Sequence, residues 1–402
     1  MRLKDFSVLN PQYKGESLDC EVSFVPMESL RNGAIDYQDI PFAEGKGKYT
    51  YFQDGDLLVA KVTPCFENGN IAIANNMKQG VGFGSSEIFV LRMNDKVLNT
   101  YIFYITQTAK FQEGACATMC GVGGLKRISP LFMRTYELDI PSLSKQQRIV
   151  DYLDAKLGKI DARIAILEKQ QDAYARLKRS VIYHAVTRGL DPNVFLKDSG
   201  VEWIGMIPKH WELQRFKSIF TECKSVTETG QEDLLSVSEY YGVARRIDKM
   251  EDGEYESRAD SLVGYKVCKK DDLVINIMLA WKRGLGFSDF DGIVSPAYAV
   301  YRGKDIAPHY FHYLMRTDMY VAEYKRNSKG IIDSRLRMYT DRFNNIMAIV
   351  PPLSEQQAIA AYLDEKCSKI DAATENIGKQ IDALKRLKRA LINEVVTGQR
   401  AV

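Results

Sequence analysis

The string nearest to a catalytic signature in this chain is Asn10-Pro11-Gln12-Tyr13. Adenine methylation would need an Asn/Asp-Pro-Pro-aromatic tetrapeptide and a cofactor-binding glycine motif, and here Gln12 stands where the second proline belongs. No strand or glycine loop is expected ahead of it, so it is read as a turn. Gly80-Val81-Gly82-Phe83-Gly84 and Gly121-Val122-Gly123-Gly124 invite comparison with phosphate cradles. Neither opens a helix after a strand with a Walker lysine or a dinucleotide fingerprint, so both are expected to be flexible loops. Asp154-x-Lys156 and Asp364-x-Lys366 echo a nuclease Asp-x-Lys, but they fall inside a helical pattern, where solvated helix charges are the simpler reading. Cys116-x-x-x-Cys120 and His309-x-x-His312 are isolated pairs with no second pair at ligand spacing, so no metal site is expected. For the other two histidines, His184 and His210, the sequence alone certifies no acid or serine constellation either. No catalytic residue is inferred.

The chemistry these residues favour is nucleic-acid recognition. Base edges are read by forked donors and acceptors on loops or a short helix, and phosphates are held by cations. In the second half, Tyr240-Tyr241-Gly242-Val243-Ala244-Arg245-Arg246 and Trp281-Lys282-Arg283-Gly284 combine glycines, aromatics and cations, and Lys329, Arg335 and Arg337 form a third cluster. In the first half Lys46, Lys48, Lys61, Lys126 and Arg127 play the comparable part, with Gly121 to Gly124 supplying close backbone approach. Each cation alone is equally well an ordinary surface charge; their clustering beside glycine loops sets the group apart. The runs Arg176-Leu177-Lys178-Arg179 and Lys385-Arg386-Leu387-Lys388-Arg389 read as solvated or partner-facing, because cations near a helix C-terminus complement its dipole.

Something must hold these loops, and the chain contains the same helical text twice. PSLSKQQRIVDYLDAKLGKIDARIAILEKQQDAYARLKRSVIYHAVT begins at Pro141 and PPLSEQQAIAAYLDEKCSKIDAATENIGKQIDALKRLKRALINEVVT at Pro351, without gaps and with about half the positions identical. Apolar residues step by threes and fours through Leu153, Leu157, Ile160, Ile164, Leu167 and Tyr174, and through Leu363, Ile370, Ile377, Ile381 and Leu384, an a/d stripe for helix pairing. Gln171 and Thr374 are the polar positions of the two stripes, expected at different levels. The stripe is expected to slip after Tyr174 and Leu384, onto Leu177 and Leu387. Ser144 with Gln147, and Ser354 with Gln357, read as capping boxes that start the helices. Continuous to Thr187 and Thr397, each helix would be on the order of 60 Å long. So narrow a stripe on so long a rod points to the two copies burying each other, antiparallel; the competing reading packs each on its own domain.

Ahead of each helix lies a strand-rich segment, and the repeat extends into it. Asp54-Gly55-Asp56-Leu57-Leu58-Val59 parallels Lys270-Asp271-Asp272-Leu273-Val274-Ile275, YIFYITQT (101–108) parallels YFHYLMRT (310–317), and Arg2-Leu3-Lys4 echoes Arg215-Phe216-Lys217. Between the halves, GLDPNVFLKDSGVEWIGMIPKHWEL (189–213) carries the apolar anchors Trp203, Ile204 and Trp211 and reads as an arm that hugs a surface.

Length and composition fit this plan. The 402 residues allow two or three domains, and 45% hydrophobic and 27% charged residues are ordinary globular values. A net charge of +3 neither demands nor excludes nucleic acid. Seven scattered cysteines, a charged N-terminus without an apolar stretch and no bilayer-spanning run fit reduced thiols and a cytoplasmic location.

The arrangement resembles the specificity subunit of type I restriction-modification systems. The resemblance rests on the PxLSxQQ entry to each helix, the arm 189–213, KVTPCFENGN at 61–70 and GIVSPAYAVY at 292–301, and it covers essentially the whole chain. It implies an α+β fold in which two α/β target-recognition domains with mainly β-sheet cores are separated by two long helices. These would form an antiparallel coiled coil within a pseudo-twofold internal repeat. The expected boundaries are 1–140 and 214–350 for the recognition domains, 141–188 and 351–402 for the helical regions and 189–213 for the arm. It further implies that each domain reads one half of a bipartite site in double-stranded DNA. The helices would fix the spacer and dock two modification subunits, which restriction (endonuclease and translocase) subunits would join. Methyltransferase and endonuclease activities, with S-adenosylmethionine, ATP and Mg, would belong to those partners, leaving this chain without an enzymatic activity or cofactor of its own. The first half departs from the pattern in having no counterpart of the arm ahead of Arg2. A coiled-coil scaffold whose β-rich domains bind protein is the alternative, and retarded migration of a duplex in a gel would discriminate.

Overall fold

The computed structural model describes residues 1–122, 124–246, 248, 261–332 and 335–402, so Gly123 of the second glycine run lies outside the described residues. Two compact units make up the chain: Met1–Glu168 with Gly378–Val402, and Lys169–Ile377. Among the described residues no helix is long and apolar enough to cross a membrane.

The main elements of the first unit are β1 (Ser7–Leu9), β2 (Glu21–Val25), β3 (Gln38–Pro41), β4 (Thr50–Gln53), β5 (Leu57–Ala60), β6 (Ile71–Ile73), β7 (Val81–Gly84), β8 (Ile88–Met93), α1 (Asn99–Thr106), α2 (Ala109–Ala117), β9 (Cys120–Val122), β10 (Leu125–Arg127) and the start of α3 (Leu143–Arg188). One antiparallel sheet has the order β1-β8-β5-β6; a second, β3-β2-β7-β4, contains the parallel pair β2 and β7. The unbroken apolar run of β5 follows from burial on both faces. Leu57 and Val59 pack with Tyr101 and Ile105 of α1, while Leu58 and Ala60 face Phe52 and Val25. The first glycine run is not the flexible loop expected: Val81–Gly84 is a strand inside the second sheet. A Cβ on Gly82 would lie 2.6 Å from the Phe52 ring, so the glycine is there for a close aromatic approach.

The second unit continues with β11 (Leu196–Asp198), β12 (Met206–Pro208), β13 (Glu212–Arg215), β14 (Phe220–Cys223), β15 (Leu235–Ser238), β16 (Gly242–Arg245), β17 (Lys266–Cys268), β18 (Asp272–Asn276), β19 (Leu285–Phe287), β20 (Gly292–Val294), β21 (Tyr298–Gly303), α4 (Pro308–Met315), α5 (Asp318–Asn327), β22 (Met347–Val350) and α6 (Leu353–Val396), whose last part belongs to the first unit. Its antiparallel sheet β14-β21-β18-β19 repeats the order of the first. Asp56 and Asp272 hold equivalent places, almost wholly buried. Each takes a bidentate arginine from the neighbouring strand, Arg92 at 2.9 and 2.7 Å and Arg302 at 2.9 Å twice, and a backbone N–H from Gln53 or Lys269. A buried carboxylate so fully paired is tolerated where an unpaired one would be expelled.

The two long helices pack antiparallel in both units. In the first, Ile149, Val150, Leu153 and Leu157 share a core with Leu391, Ile392, Val395 and the sheet residues Leu57, Phe89 and Leu91. In the second, Ala185 and Val186 share one with Ile359, Ala360 and Leu363. Pairing and domain packing, set against each other above, therefore coexist at the helix ends. Two expectations are corrected. The stripe does not slip: Leu177 and Leu387 are exposed, and the phase continues onto Lys178 and Lys388, which reach across to Asp371 and Asp161, each at 2.7 Å. Nor do the polar positions lie at different levels, since Gln171 Nε2 donates to the Thr374 carbonyl at 3.4 Å.

Serine caps do not start these helices. Ser144 and Ser354 lie inside them, and the neighbouring glutamines do the work. Gln146 Oε1 accepts Leu98 N–H at 2.8 Å while its Nε2 donates to Lys96 and Pro141 carbonyls at 3.2 and 2.9 Å. Gln356 Oε1 accepts Ala307 N–H at 2.9 Å and its Nε2 donates to Pro351 O at 2.8 Å. Asp154 and Asp364 are exposed helix charges, as expected, and each also receives a tyrosine hydroxyl: Asp154 accepts from Tyr104, and Asp364 from Tyr313 at 2.8 Å. The arm ends on Trp211, fully buried, whose indole N–H donates to Glu355 at 2.8 Å.

Candidate nucleic-acid interface

Both units project the same device, a short hairpin squeezed at a glycine. In the first, β9 and β10 pair Cys120 with Arg127, Gly121 with Lys126 and Val122 with Leu125. The hairpin is pinned by Thr63, whose N–H donates to the Lys126 carbonyl at 2.9 Å and whose hydroxyl accepts Lys126 N–H at 2.9 Å and donates to Gly124 O at 3.0 Å. Ile128 N–H closes onto the Lys61 carbonyl at 2.8 Å. A Cβ on Gly121 would meet Leu125 O at 2.1 Å, so only glycine permits this approach.

In the second unit Lys329 and Arg337 exchange backbone hydrogen bonds at 3.0 and 2.9 Å, and Met338 N–H closes onto the Ile277 carbonyl at 2.8 Å. A Cβ on Gly330 would meet Arg335 O at 2.6 Å. The residues beyond each glycine are apolar and exposed, Val122 and Leu125 in one hairpin and Ile331 and Ile332 in the other. The structure thus brings together Lys61, Lys126 and Arg127 in one unit and Lys329, Arg335 and Arg337 in the other.

The remaining candidates are placed differently. Lys46 lies over the rings of Tyr13 and Phe42 at 5.9 and 5.6 Å, and Lys48 over Tyr49 at 4.9 Å, on the turn after Phe42–Gly45 and away from the hairpin in sequence. Lys61 covers Phe89 at 5.4 Å. Arg127 is bidentate with Glu87 at 2.9 and 2.8 Å, and that contact holds the Glu87 carboxyl below its usual range. Arg245 stacks on Phe290 at 4.6 Å and pairs with Asp233 at 3.2 Å, next to the half-buried Arg246. Lys282 lies over Trp281 at 5.0 Å. Arg283 has a left-handed backbone, donates to the Arg316 carbonyl at 3.1 Å and pairs with Asp318, which commits it to its own turn. Lys126, Lys329 and Arg335 are exposed and suited to an outside partner. Missed by sequence reasoning were Thr63, which carries no composition signal, and the four hairpin aliphatics, which read by default as core. Only the paired glycines at the hairpin bases could have pointed to them.

Residues 14–173 match the model of the Type I restriction modification DNA specificity domain. The chain is 35% identical over 152 residues to the Type I restriction enzyme EcoEI specificity subunit of Escherichia coli, a match covering 37% of this chain and 26% of that protein. It therefore spans about a quarter of the length of that relative. It is 21% identical over 404 residues to the MjaVIII specificity subunit of Methanocaldococcus jannaschii, covering 96% of this chain and 87% of that one. Among solved structures, a chain described under complex assembly and conformational transition of the type I R-M system superposes with a TM-score of 0.73 at 15% identity, covering 98% and 96% of the two chains, which shows a shared fold. By these matches the chain resembles the type I restriction enzyme specificity subunits, most plainly over residues 14–173, where it matches the model of their DNA specificity domain.

Proposed function

We propose that this chain is the DNA-recognition subunit of a type I restriction-modification complex. Each recognition domain reads one half of a bipartite site in double-stranded DNA. The paired helices set the spacer and dock two modification subunits, which restriction subunits join. Methyl transfer and cleavage, with S-adenosylmethionine, ATP and Mg, lie in those partners. The observation that carries the reading is the duplicated hairpin: a two-part site needs two readers of like construction, and the repeat supplies one per unit. Cations beside the hairpins would position the backbone, and the exposed aliphatics suit contact with thymine methyl groups.

The test is single-molecule methylation mapping in cells that carry the chain with a modification subunit, before and after deleting one heptad from α3 and the matching heptad from α6. A heptad is about 10 Å of helix, or about three base pairs. Two unchanged half-motifs with a shortened gap are expected. A continuous motif, or a gap that keeps its length, would refute the reading.

A further inference from the structure

The second unit holds a cleft of about 620 Å³ lined by α3 near Arg179, the start of α5 and the residues Tyr240 and Arg283. Its wall carries the cations Lys178, Arg179, Arg283 and Arg316 and the carboxylate Asp318, and Lys178 is taken by Asp371 beside the cleft at 2.7 Å. Asp318 is already taken by Arg283. Arg316 donates only to carbonyls, those of Arg283, Leu285, Glu239 and Tyr240 at 2.7, 2.7, 2.8 and 3.1 Å. Burial, and after it the neighbouring Arg283 charge, bring Arg316 down to about 10; burial and the Arg316 charge hold His312, on the same wall, down at about 3. Arg179 is exposed and pairs with no carboxylate among the described residues. A half-buried guanidinium held among other cations without a counter-ion is stabilised by any anion that joins it.

The repeat supplies a comparison inside the same chain. The equivalent cleft of the first unit, about 960 Å³, has Lys385, Lys388 and Arg389, but Glu67, Glu113 and Asp161 match them in number. Gln107 stands where the second unit has Arg316.

We infer that the cleft of the second unit is an anion site that takes a backbone phosphate of duplex DNA, and that the equivalent cleft of the first unit takes none. The source of the phosphate rests on the DNA-recognition reading; the anion site does not. Tyr240 is 84% exposed at the rim and belongs to the β15–β16 turn that leads to Arg245 and Arg246, so a strand read by those arginines passes the cleft. Arg179, with no other engagement among the described residues, closes over the phosphate from the helix side.

The full chain, alone and with a co-expressed modification subunit, is titrated with random-sequence duplex across a salt series, and by calorimetry with inorganic pyrophosphate. Arg179→Gln is expected to weaken duplex binding several-fold on every sequence and to reduce the slope of log affinity against log salt by about one. Arg389→Gln is expected to change neither. If both variants lower the slope equally, or neither does, the inference is overturned. If only pyrophosphate binding depends on Arg179, the cleft serves a free anion and the DNA assignment falls. A wild-type chain that binds no duplex in either form, but loses pyrophosphate binding on Arg179→Gln, defeats the recognition reading and leaves the anion site standing.

Discussion

Replacing Gln356 by methionine tests whether a buried amide fastens the second long helix to the sheet-bearing part of its unit. Gln356 is 1% exposed and satisfies the Ala307 N–H at 2.9 Å and the Pro351 carbonyl at 2.8 Å. Methionine has a similar volume and neither group, so one buried donor and one buried acceptor lose their partner, at about 1–3 kcal/mol each. Burial of the thioether arm returns about 1 kcal/mol. The expected loss is about 1–5 kcal/mol. The assay is favourable because the three tryptophans, Trp203, Trp211 and Trp281, all lie in the second unit, so their fluorescence during urea unfolding reports that unit. With a slope of about 2 kcal/mol per molar urea, the midpoint should fall by about 0.5–2.5 M. Gln357→Met, at an exposed neighbour, should stay within about 0.5 kcal/mol of wild type. Ser354→Ala should too, whereas a true N-cap would cost about 1 kcal/mol. A Gln356→Met midpoint no lower than that of Gln357→Met refutes the argument.

Other expectations follow from the same geometry. Lys388→Asp should destabilise the first unit by no more than about 1 kcal/mol, because the pair with Asp161 is partly solvated, and Asp161→Lys in the same chain should restore it; a double-mutant cycle in chemical unfolding measures this. Gly121→Ala and Gly330→Ala, with Cβ atoms forced to 2.1 and 2.6 Å from a facing carbonyl, should each lower duplex affinity in a gel-shift titration while leaving far-ultraviolet circular dichroism unchanged. His312 is held neutral with its pKa near about 3, below its unfolded value, so the unfolded chain binds the extra proton. Stability should therefore fall as pH drops from about 6.5 toward 3, by up to about 1.4 kcal/mol per unit, and His312→Gln should flatten that dependence of the urea midpoint.

Much of the fold is legible in the residues because the chain states its plan twice. The parallel between Asp54–Val59 and Lys270–Ile275 is the mark of two sheets of one strand order, each locked by a buried aspartate and an arginine from the next strand. The arginines themselves were not legible, because strand pairing, not sequence distance, sets Arg92 beside Asp56. Leu177 and Leu387 mislead for a related reason: hydrophobicity alone puts a leucine on the stripe, but the helix phase favours Lys178 and Lys388, whose stems cover the seam while their ammonium groups meet Asp371 and Asp161. The serine caps gave way to glutamines because the chain ahead of each helix is packed against α1 or α4, where the amide meets backbone from two segments at once. The candidate interface was legible as loops with cations. Which cations are spoken for, as Arg127 is by Glu87 and Arg283 by Asp318, depends on carboxylates brought in by the fold.

The first unit closes only with residues 378–402, since Leu391, Ile392 and Val395 enter its core beside Leu153 and Leu157. During synthesis the ribosome must therefore make the whole second unit, Lys169–Ile377, while a greasy seam on the nascent first helix waits uncovered, a natural substrate for chaperones.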